Sequence, residues 1–467
     1  MSARFVRIQS FQRGKAMSIR SQGKLDLGPV LGAMRSRSGS PVAYDLPDQG
    51  STPPPRYDTE FTSLPAYRQM TLQRDLADAL GLRDPYYQPH QGLAGATSRM
   101  ENRSVINFAS YDYLGFNGDP RVVETIESAV RTYGSSVSAS RISAGERDIH
   151  RALEAALAKV YEAEAAVVFV SGHATAVSTI ATLLGPKDLI LYDALIHNCI
   201  AVGAQLSGAA RRAISHNDLD ALEAVLIRER SRFNRVLIAV EGLYSMDGDG
   251  PDLARLVEIK RRWGAWLLVD DAHGFGVLGQ RGHGIAEHLG VDPREIDIWL
   301  GTLSKTLVSC GGYVAGSSEL ADLLKHLAPG LVYSVGLPAG QAAAALKALD
   351  LMQEEPERII RLHDNSRYFQ ETAQAHGLDT GTSWGFGIVP VYVGDSLRTV
   401  MLAEKLLEQG VNAFPILPPG VPELTARLRF FITAAHTREQ LATAARLTAE
   451  TLAALPLVSL PPSAPAS

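Results

Sequence analysis

Two short constellations in this sequence carry residue types suited to chemistry on an amino group. The first is Trp266-Leu-Leu-Val-Asp270-Asp271-Ala-His273-Gly274. An apolar run that ends in an acid reads as a buried strand with Asp270 at a sheet's carboxyl edge, where open α/β sheets bind ligands. The second is the apolar run 296–300 followed by Gly301-Thr302-Leu303-Ser304-Lys305-Thr306. A lysine in a small-residue loop beyond a strand is placed to form an imine, once desolvation and nearby cations depress its pKa. Thr302 and Ser304 offer hydroxyls to phosphate oxygens. Singly, each has an ordinary explanation: Asp270 as a loop cap, His273 as a surface histidine, Lys305 as a solvated lysine. Their order, strand–Asp-x-x-His then strand–Thr-x-x-Lys, points to pyridoxal 5′-phosphate as cofactor. Asp270 would pair with the pyridinium nitrogen and keep the ring an electron sink, and His273 would reach its phenolic oxygen.

Two further segments fit that chemistry. The run 167–170 enters Ser171-Gly172-His173-Ala174 and then a helical pattern. A glycine at a strand-to-helix turn exposes backbone N–H groups at a positive helix end, a natural phosphate site. In Leu191-Tyr-Asp193-Ala-Leu-Ile-His197 an imidazole follows another strand end. His197 could stack on the cofactor ring or be a capping or core histidine. Gly274-Phe-Gly276-Val-Leu-Gly279 matches a dinucleotide fingerprint, but Gln280-Arg-Gly282-His-Gly284 follows it where a helix should open. That argues against a nicotinamide dehydrogenase.

The elements that must position these residues form a repeating pattern. Apolar runs at 166–170, 189–192, 236–240, 266–269 and 296–300 alternate with helical stretches at 174–184, 219–230 and 253–263. Such alternation argues a largely parallel sheet covered on both faces, an α/β fold. A helix over 342–351 leads to a second region, with strands at 389–393 and 429–432 and helices at 397–408 and 438–452. The expected organisation is a basic Pro/Ser-rich tail over 1–60, an N-terminal arm with helices over 61–160, a large domain over 161–340, a smaller α+β domain over 341–455 and a frayed tail over 456–467.

The bulk properties suit an enzyme. Of 467 residues, 46% are apolar and 20% charged, which permits a sizeable core. A net charge of −5 gives no ground for a nucleic-acid partner. The two cysteines, Cys199 and Cys310, form no disulfide framework or metal signature, so a reducing cytoplasm is the expected compartment. No apolar run approaches the roughly 20 residues of a membrane helix. Residues 1–43 carry Arg4, Arg7, Arg13, Lys15, Arg20, Lys24, Arg35 and Arg37 against the single acid Asp26. This reads as a disordered basic tail, an overlong start with Met17 as initiator, a transit peptide, or a peripheral arm at an anionic inner-membrane surface.

The ordered motifs resemble those of the α-oxoamine synthases, a branch of the fold-type I pyridoxal-phosphate transferases. Beside the segments above, they include Asn107-Phe-Ala-Ser-Tyr111-Asp112-Tyr113-Leu114-Gly115, Glu241-Gly-Leu-Tyr-Ser245-Met246-Asp247-Gly248, and Arg427-Leu-Arg429 with Thr433-Ala-Ala-His436-Thr437. The resemblance covers roughly 82–450. It implies a large domain with a mainly parallel sheet, a smaller C-terminal α+β domain and a homodimer. By the same resemblance Lys305 is the Schiff-base lysine, Asp270 the partner of the ring nitrogen and His197 the stacking histidine. Ser245 and His273 are then donors to the phenolic oxygen, and Gly172, the His173 backbone and Thr302 phosphate ligands. Ser334 is implied to reach the phosphate held by a second copy of the chain, and Arg429 to hold the amino acid's carboxylate.

The implied reaction is decarboxylative condensation of an amino acid with an acyl thioester, carried on coenzyme A or an acyl carrier protein. Tyr111 makes the chain most similar to serine palmitoyltransferases, so L-serine with a long-chain acyl thioester, giving a 3-ketosphinganine-type product, is the first expectation. Asp112 departs from the Asn common there. An alanine- or glycine-using synthase, of the 8-amino-7-oxononanoate or carrier-protein off-loading kind, is the second. A fold-type I aminotransferase would share the lysine, the aspartate and the arginine, but not the Gly248 and His436 signatures. A non-catalytic partner subunit would lack Lys305.

Overall fold

The computed structural model describes residues 20–21, 24–26, 58–79, 81–422 and 424–459. Most of segment 1–60, the site of the expected basic tail and surface arm, lies outside the described residues, as do 460–467.

The expected apolar runs become neighbours in one seven-stranded sheet. Along the chain its strands are β1 (Ala165–Phe169), β2 (Leu189–Asp193), β3 (Ala210–Ile214), β4 (Val236–Glu241), β5 (Trp266–Asp270), β6 (Ile298–Thr302) and β7 (Gly312–Gly316). Their spatial order is β1-β7-β6-β5-β4-β2-β3. Pairings from β6 through β5, β4 and β2 to β3 are parallel, whereas β7 runs antiparallel to both β6 and β1. Alternate residues of each strand enter opposite cores. Val168, Leu191, Ile238 and Val269 join one cluster, Val167, Ile190, Leu237 and Leu268 the other. Both faces are therefore covered, which is why these strands read as continuous apolar runs.

Two strands escape the periodicity argument. β3 is an edge strand with alternating exposure and carries Arg211 and Arg212. β7 opens on Gly311-Gly312, which reads as loop, and its side-chain-free start lets Gly312 lie close against Gly172. The GxGxxG decoy forms a turn: Gly276 and Gly279 have φ of +76° and +84°, and only the five-residue helix Ile285–Leu289 follows. A Cβ on Gly276 would sit 2.1 Å from Thr306 Cγ2, so this glycine serves close packing beside the Lys305 loop.

Further along, strands β8 (Ile388–Gly394), β9 (Phe414–Ile416) and β10 (Ala426–Phe431) form an antiparallel sheet in the order β8-β10-β9. Helices Ser396–Glu408 and Arg438–Ala454 fall where the periodicity places them, and the helix expected over 342–351 extends to Ala339–Glu354. The 19-residue helix Glu357–Ala375 was not expected, because polar Asn365 and Ser366 interrupt its buried face. Both are satisfied inside: Asn365 Nδ2 donates to the carbonyls of Thr433 and His436, and Ser366 Oγ to that of Leu362.

Packing divides the chain into two units, Pro85–Ala453 and the described remainder. The expected boundaries at 160/161 and 340/341 thus fall inside one unit. The other unit contains helix Pro65–Ala79 and a three-stranded sheet of Arg20–Ser21, Lys24–Asp26 and Leu457–Ser459. Among the described residues no helix is long and apolar enough to cross a membrane.

Candidate active site

Strands β4, β5 and β6 end side by side, with Glu241 opposite Asp270 and Asp270 opposite Leu300 in register. Parallel pairing therefore delivers an acid from each of two neighbouring strands to one edge, and the Lys305 loop starts beside them. Asp270 is buried, and its Oδ1 accepts from the Ala272 amide at 3.1 Å. Glu241, also buried, accepts from the amides of His197 (2.6 Å) and Ser245 (3.1 Å). Burial pushes the pKa of both carboxyls up, and Asp270 raises Glu241 further by repulsion, while Lys305 opposes both effects. Glu241 thus joins the loops carrying His197 and Ser245, a role its sequence context does not reveal.

Lys305 forms no salt bridge among the described residues. Burial lowers its pKa, partly offset by Asp270 and Glu241, which favours the free amine a nucleophile needs. Its Nζ lies 5.9 Å from the centroid of the Tyr111 ring, and Tyr111 is 42% exposed, so the aromatic ring forms an outer wall.

The imidazoles flank this group. His273 Nδ1 shares a 2.8 Å hydrogen bond with the Tyr113 hydroxyl, and its ring stacks on Phe431 at 6.0 Å and 7°. Burial and then the charges of Lys305 and Arg429 hold His273 well below the usual imidazole value, so it is neutral. Tyr113, fully buried, orients it and was not singled out from the sequence. Of the two expectations for His197, the structure shows the cap. Its Nδ1 accepts from the Cys199 amide at 3.3 Å as the N-cap of helix Asn198–Ser207. Its ring is exposed at the strand-end face, where desolvation and the positive charge of Lys305 lower its pKa.

Arg429 on β10 reaches the same group from the second sheet. One Nη1 donates to the Ser245 carbonyl at 3.1 Å, and the guanidinium lies 4.4 Å from the Phe431 ring. Its Nε is buried with no hydrogen-bond partner, and no acid in the described residues forms a salt bridge with it. A half-buried cation with an unused, buried Nε donor suits an incoming carboxylate.

The glycine-lined recess lies at the start of helix Gly172–Leu183, whose first amides have no intrahelical carbonyl to meet. A Cβ on Gly172 would stand 3.1 Å from Thr302 Oγ1, and one on Gly312 only 2.7 Å from Gly172 Cα. Thr302 Oγ1 donates to the Gly311 carbonyl at 3.1 Å, which fixes its rotamer in the recess. His173, in the helix's first turn, is exposed. Ser334 stands apart. It is half-buried between the exposed Tyr333 and Val335, with no hydrogen bond to the cleft among the described residues.

These residues fit pyridoxal 5′-phosphate. A lysine amine whose pKa burial lowers, an acid at a strand end, and a helix start flanked by Gly172 and Gly312 stand at one sheet edge. The chain matches the family described as "Aminotransferase class I and II" over residues 103–447. It is 43% identical over 344 residues to 8-amino-7-oxononanoate synthase of Symbiobacterium thermophilum, covering 74% of this chain and 87% of that protein. The enzyme of that name from Alkaliphilus metalliredigens is 39% identical over 351 residues, covering 75% and 88%. Among solved structures, Sphingomonas wittichii serine palmitoyltransferase superposes with a TM-score of 0.81 at 29% identity, covering 86% of this chain and all of that one. A serine palmitoyltransferase from S. paucimobilis, solved with a PLP–myriocin aldimine, gives 0.81 at 27% identity, covering 85% and 99%. The chain belongs to the class I and II aminotransferase family and, within it, to the α-oxoamine synthases, fold-type I acyltransferases that depend on pyridoxal 5′-phosphate.

Proposed function

We propose that the chain joins L-alanine to an acyl thioester with loss of carbon dioxide, giving an α-amino ketone. The observation that carries this reading is the likeness to proteins named for 8-amino-7-oxononanoate. In that compound carbons 8 and 9, with the amine, match alanine after loss of its carboxyl, and carbons 1 to 7 match the acyl group. The first expectation, serine with a long acyl chain, therefore gives way to the second. Its support is Tyr111 and the likeness to serine palmitoyltransferase structures at lower identity, and it is kept as the second reading.

The bound cofactor supplies an electron sink conjugated with the amino acid's α-carbon. The residues do the rest. Arg429 holds the substrate carboxylate and, with His197 on one face, fixes the Cα–H bond towards Lys305. Lys305 Nζ, whose pKa burial lowers, accepts the α-proton. Asp270 would hold the ring nitrogen's proton, and His273 and Ser245 would hold the phenolic oxygen. Gly172, the His173 backbone and Thr302 would hold the phosphate.

The test is α-deuterium exchange by the purified holoprotein with alanine, glycine and serine, followed by carbon dioxide release on adding short and long acyl thioesters. The expected result is exchange and release at least about 10-fold faster with alanine, a difference of about 1.4 kcal/mol. Preference for serine with a long-chain thioester would overturn the reading in favour of the second one.

A further inference from the structure

Loop 242–250, which carries Ser245, is gripped by cations from two sides. From β10, Arg427 meets Asp247, with Nη1 to Oδ1 at 2.5 Å, and donates to the Met246 carbonyl at 3.3 Å. Two residues on, on the same strand face, Arg429 donates to the Ser245 carbonyl. The other grip comes from His216, just past the end of edge strand β3. Its Nδ1 lies 3.0 Å from Asp193 Oδ1 and its Nε2 3.1 Å from Asp249 Oδ2. Asn217 Nδ2 also lies 3.3 Å from Nε2, but the nearer partners of both ring nitrogens are carboxylates, an arrangement that favours a proton on each and an imidazolium ring. Asp193 ends β2, four residues before His197, and also accepts from the amides of Leu195 and Asn217. Asp249 closes the Ser245 loop, its carbonyl accepting from Tyr244 N at 2.8 Å, and its carboxylate also accepts from Thr382 Oγ1. The His216 ring packs edge-on against Tyr244 at 4.5 Å.

We propose that His216 is a positioning residue that acts as a cationic brace. By joining Asp193 to Asp249 it sets loop 242–250, and through Ser245 it sets the Arg429 guanidinium that receives the amino acid's carboxylate. The physical argument is one of charge balance. Without the imidazolium, two partly buried carboxylates face each other across one ring's width, and the loop relaxes to separate them. The loop's inner hydrogen bonds, Tyr244 N to Asp249 O and Gly248 N to Tyr244 O, are then the ones that open. The carboxylate role of Arg429 rests on the function proposed above, whereas the bracing of the loop does not.

The test compares His216→Gln, His216→Arg and Asp249→Asn with the wild-type protein. Hydrogen exchange of the peptide spanning 242–250, read by mass spectrometry without cofactor or substrate, reports the brace directly. The expected result is exchange about 10-fold faster in His216→Gln and restored at least halfway by His216→Arg, which keeps the charge. In the holoprotein, KM for the amino acid rises about 10-fold in His216→Gln, while kcat falls less than about 3-fold. Asp249→Asn, which removes one of the paired charges and retains the shape, loosens the same peptide. Unchanged exchange in both His216→Gln and Asp249→Asn overturns the brace. Equal loosening by His216→Gln and His216→Arg overturns its cationic nature. Loosened exchange with unaltered KM, in a protein whose Arg429→Lys change does raise KM, overturns the link from the loop to the arginine. If Arg429→Lys leaves KM unaltered, the function proposed above fails instead, and the exchange result still decides the brace.

Discussion

Lys305, Asp270 and Arg429 each answer to a separate measurement. Borohydride reduction of the holoprotein followed by peptide mapping is expected to label Lys305, and Lys305→Ala to abolish turnover; a label on another lysine would sink the assignment. Asp270→Asn is expected to fold and keep the cofactor but to slow α-proton exchange by several orders of magnitude, because an amide cannot hold the ring nitrogen protonated. Exchange at the wild-type rate would remove Asp270 from that role. For Arg429→Lys, loss of two-point contact with a carboxylate is worth about 1.5–3 kcal/mol, so KM for the amino acid should rise about 10- to 100-fold. At this scale the sequence was informative wherever the chemistry depends on residue type next to a strand end. It did not expose Tyr113 or Glu241. Tyr113 acts through His273, 160 positions away in sequence, and Glu241 acts by gathering amides from two loops.

At the scale of elements, the proposed phosphate site depends on two strands and a helix meeting closely at Gly172 and Gly312. Gly312 opens β7 and lies against Gly172 at the helix start. A Cβ at 312 would press on Gly172 Cα at 2.7 Å and Thr175 Oγ1 at 2.5 Å, so backbone must move. Gly312→Ala is therefore expected to yield a folded protein that loses cofactor on dialysis, seen as a fallen visible band with little change in far-ultraviolet circular dichroism. Retention of a full visible band would show that the recess tolerates the methyl group. Periodicity located β1, β2, β4, β5 and β6 because both faces of each are buried. It missed β7, whose apolar run is only Tyr313–Ala315 between glycines, and β3, whose edge position lets two adjacent arginines sit among its apolar residues.

For the whole molecule, the His216 brace ties folding stability to pH. Burial opposes the charged ring, but the hydrogen bonds to Asp193 and Asp249 outweigh it and hold its pKa up to about 10. A folded-state pKa above the unfolded 6.5 means the contribution is complete below about pH 6.5 and is lost as pH rises through about 10. Urea unfolding between pH 6 and 10.5 should therefore show a falling midpoint that flattens in His216→Gln; equal slopes would contradict it. Assembly is the other property of this scale. The family resemblance implies a homodimer in which Ser334 serves a second copy's cofactor, and Ser334 lies beside outward-facing Tyr333, 86% exposed, and Val335. Mixing Lys305→Ala with Ser334→Trp should form hybrid dimers with one intact site and regain part of the activity. A fully active monomer in sedimentation would refute this arrangement.

The class of fold, the family chemistry and the residues at strand ends are all legible along the chain, because burial on both faces and residue type at a sheet edge leave local marks. Tertiary structure alone decided which distant groups share an environment. Parallel register put Glu241 beside Asp270, β10 brought Arg429 to the Ser245 loop, and His216 came to lie between Asp193 and Asp249. Those contacts depend on strand order and crossover, to which each residue's chain neighbours contribute nothing.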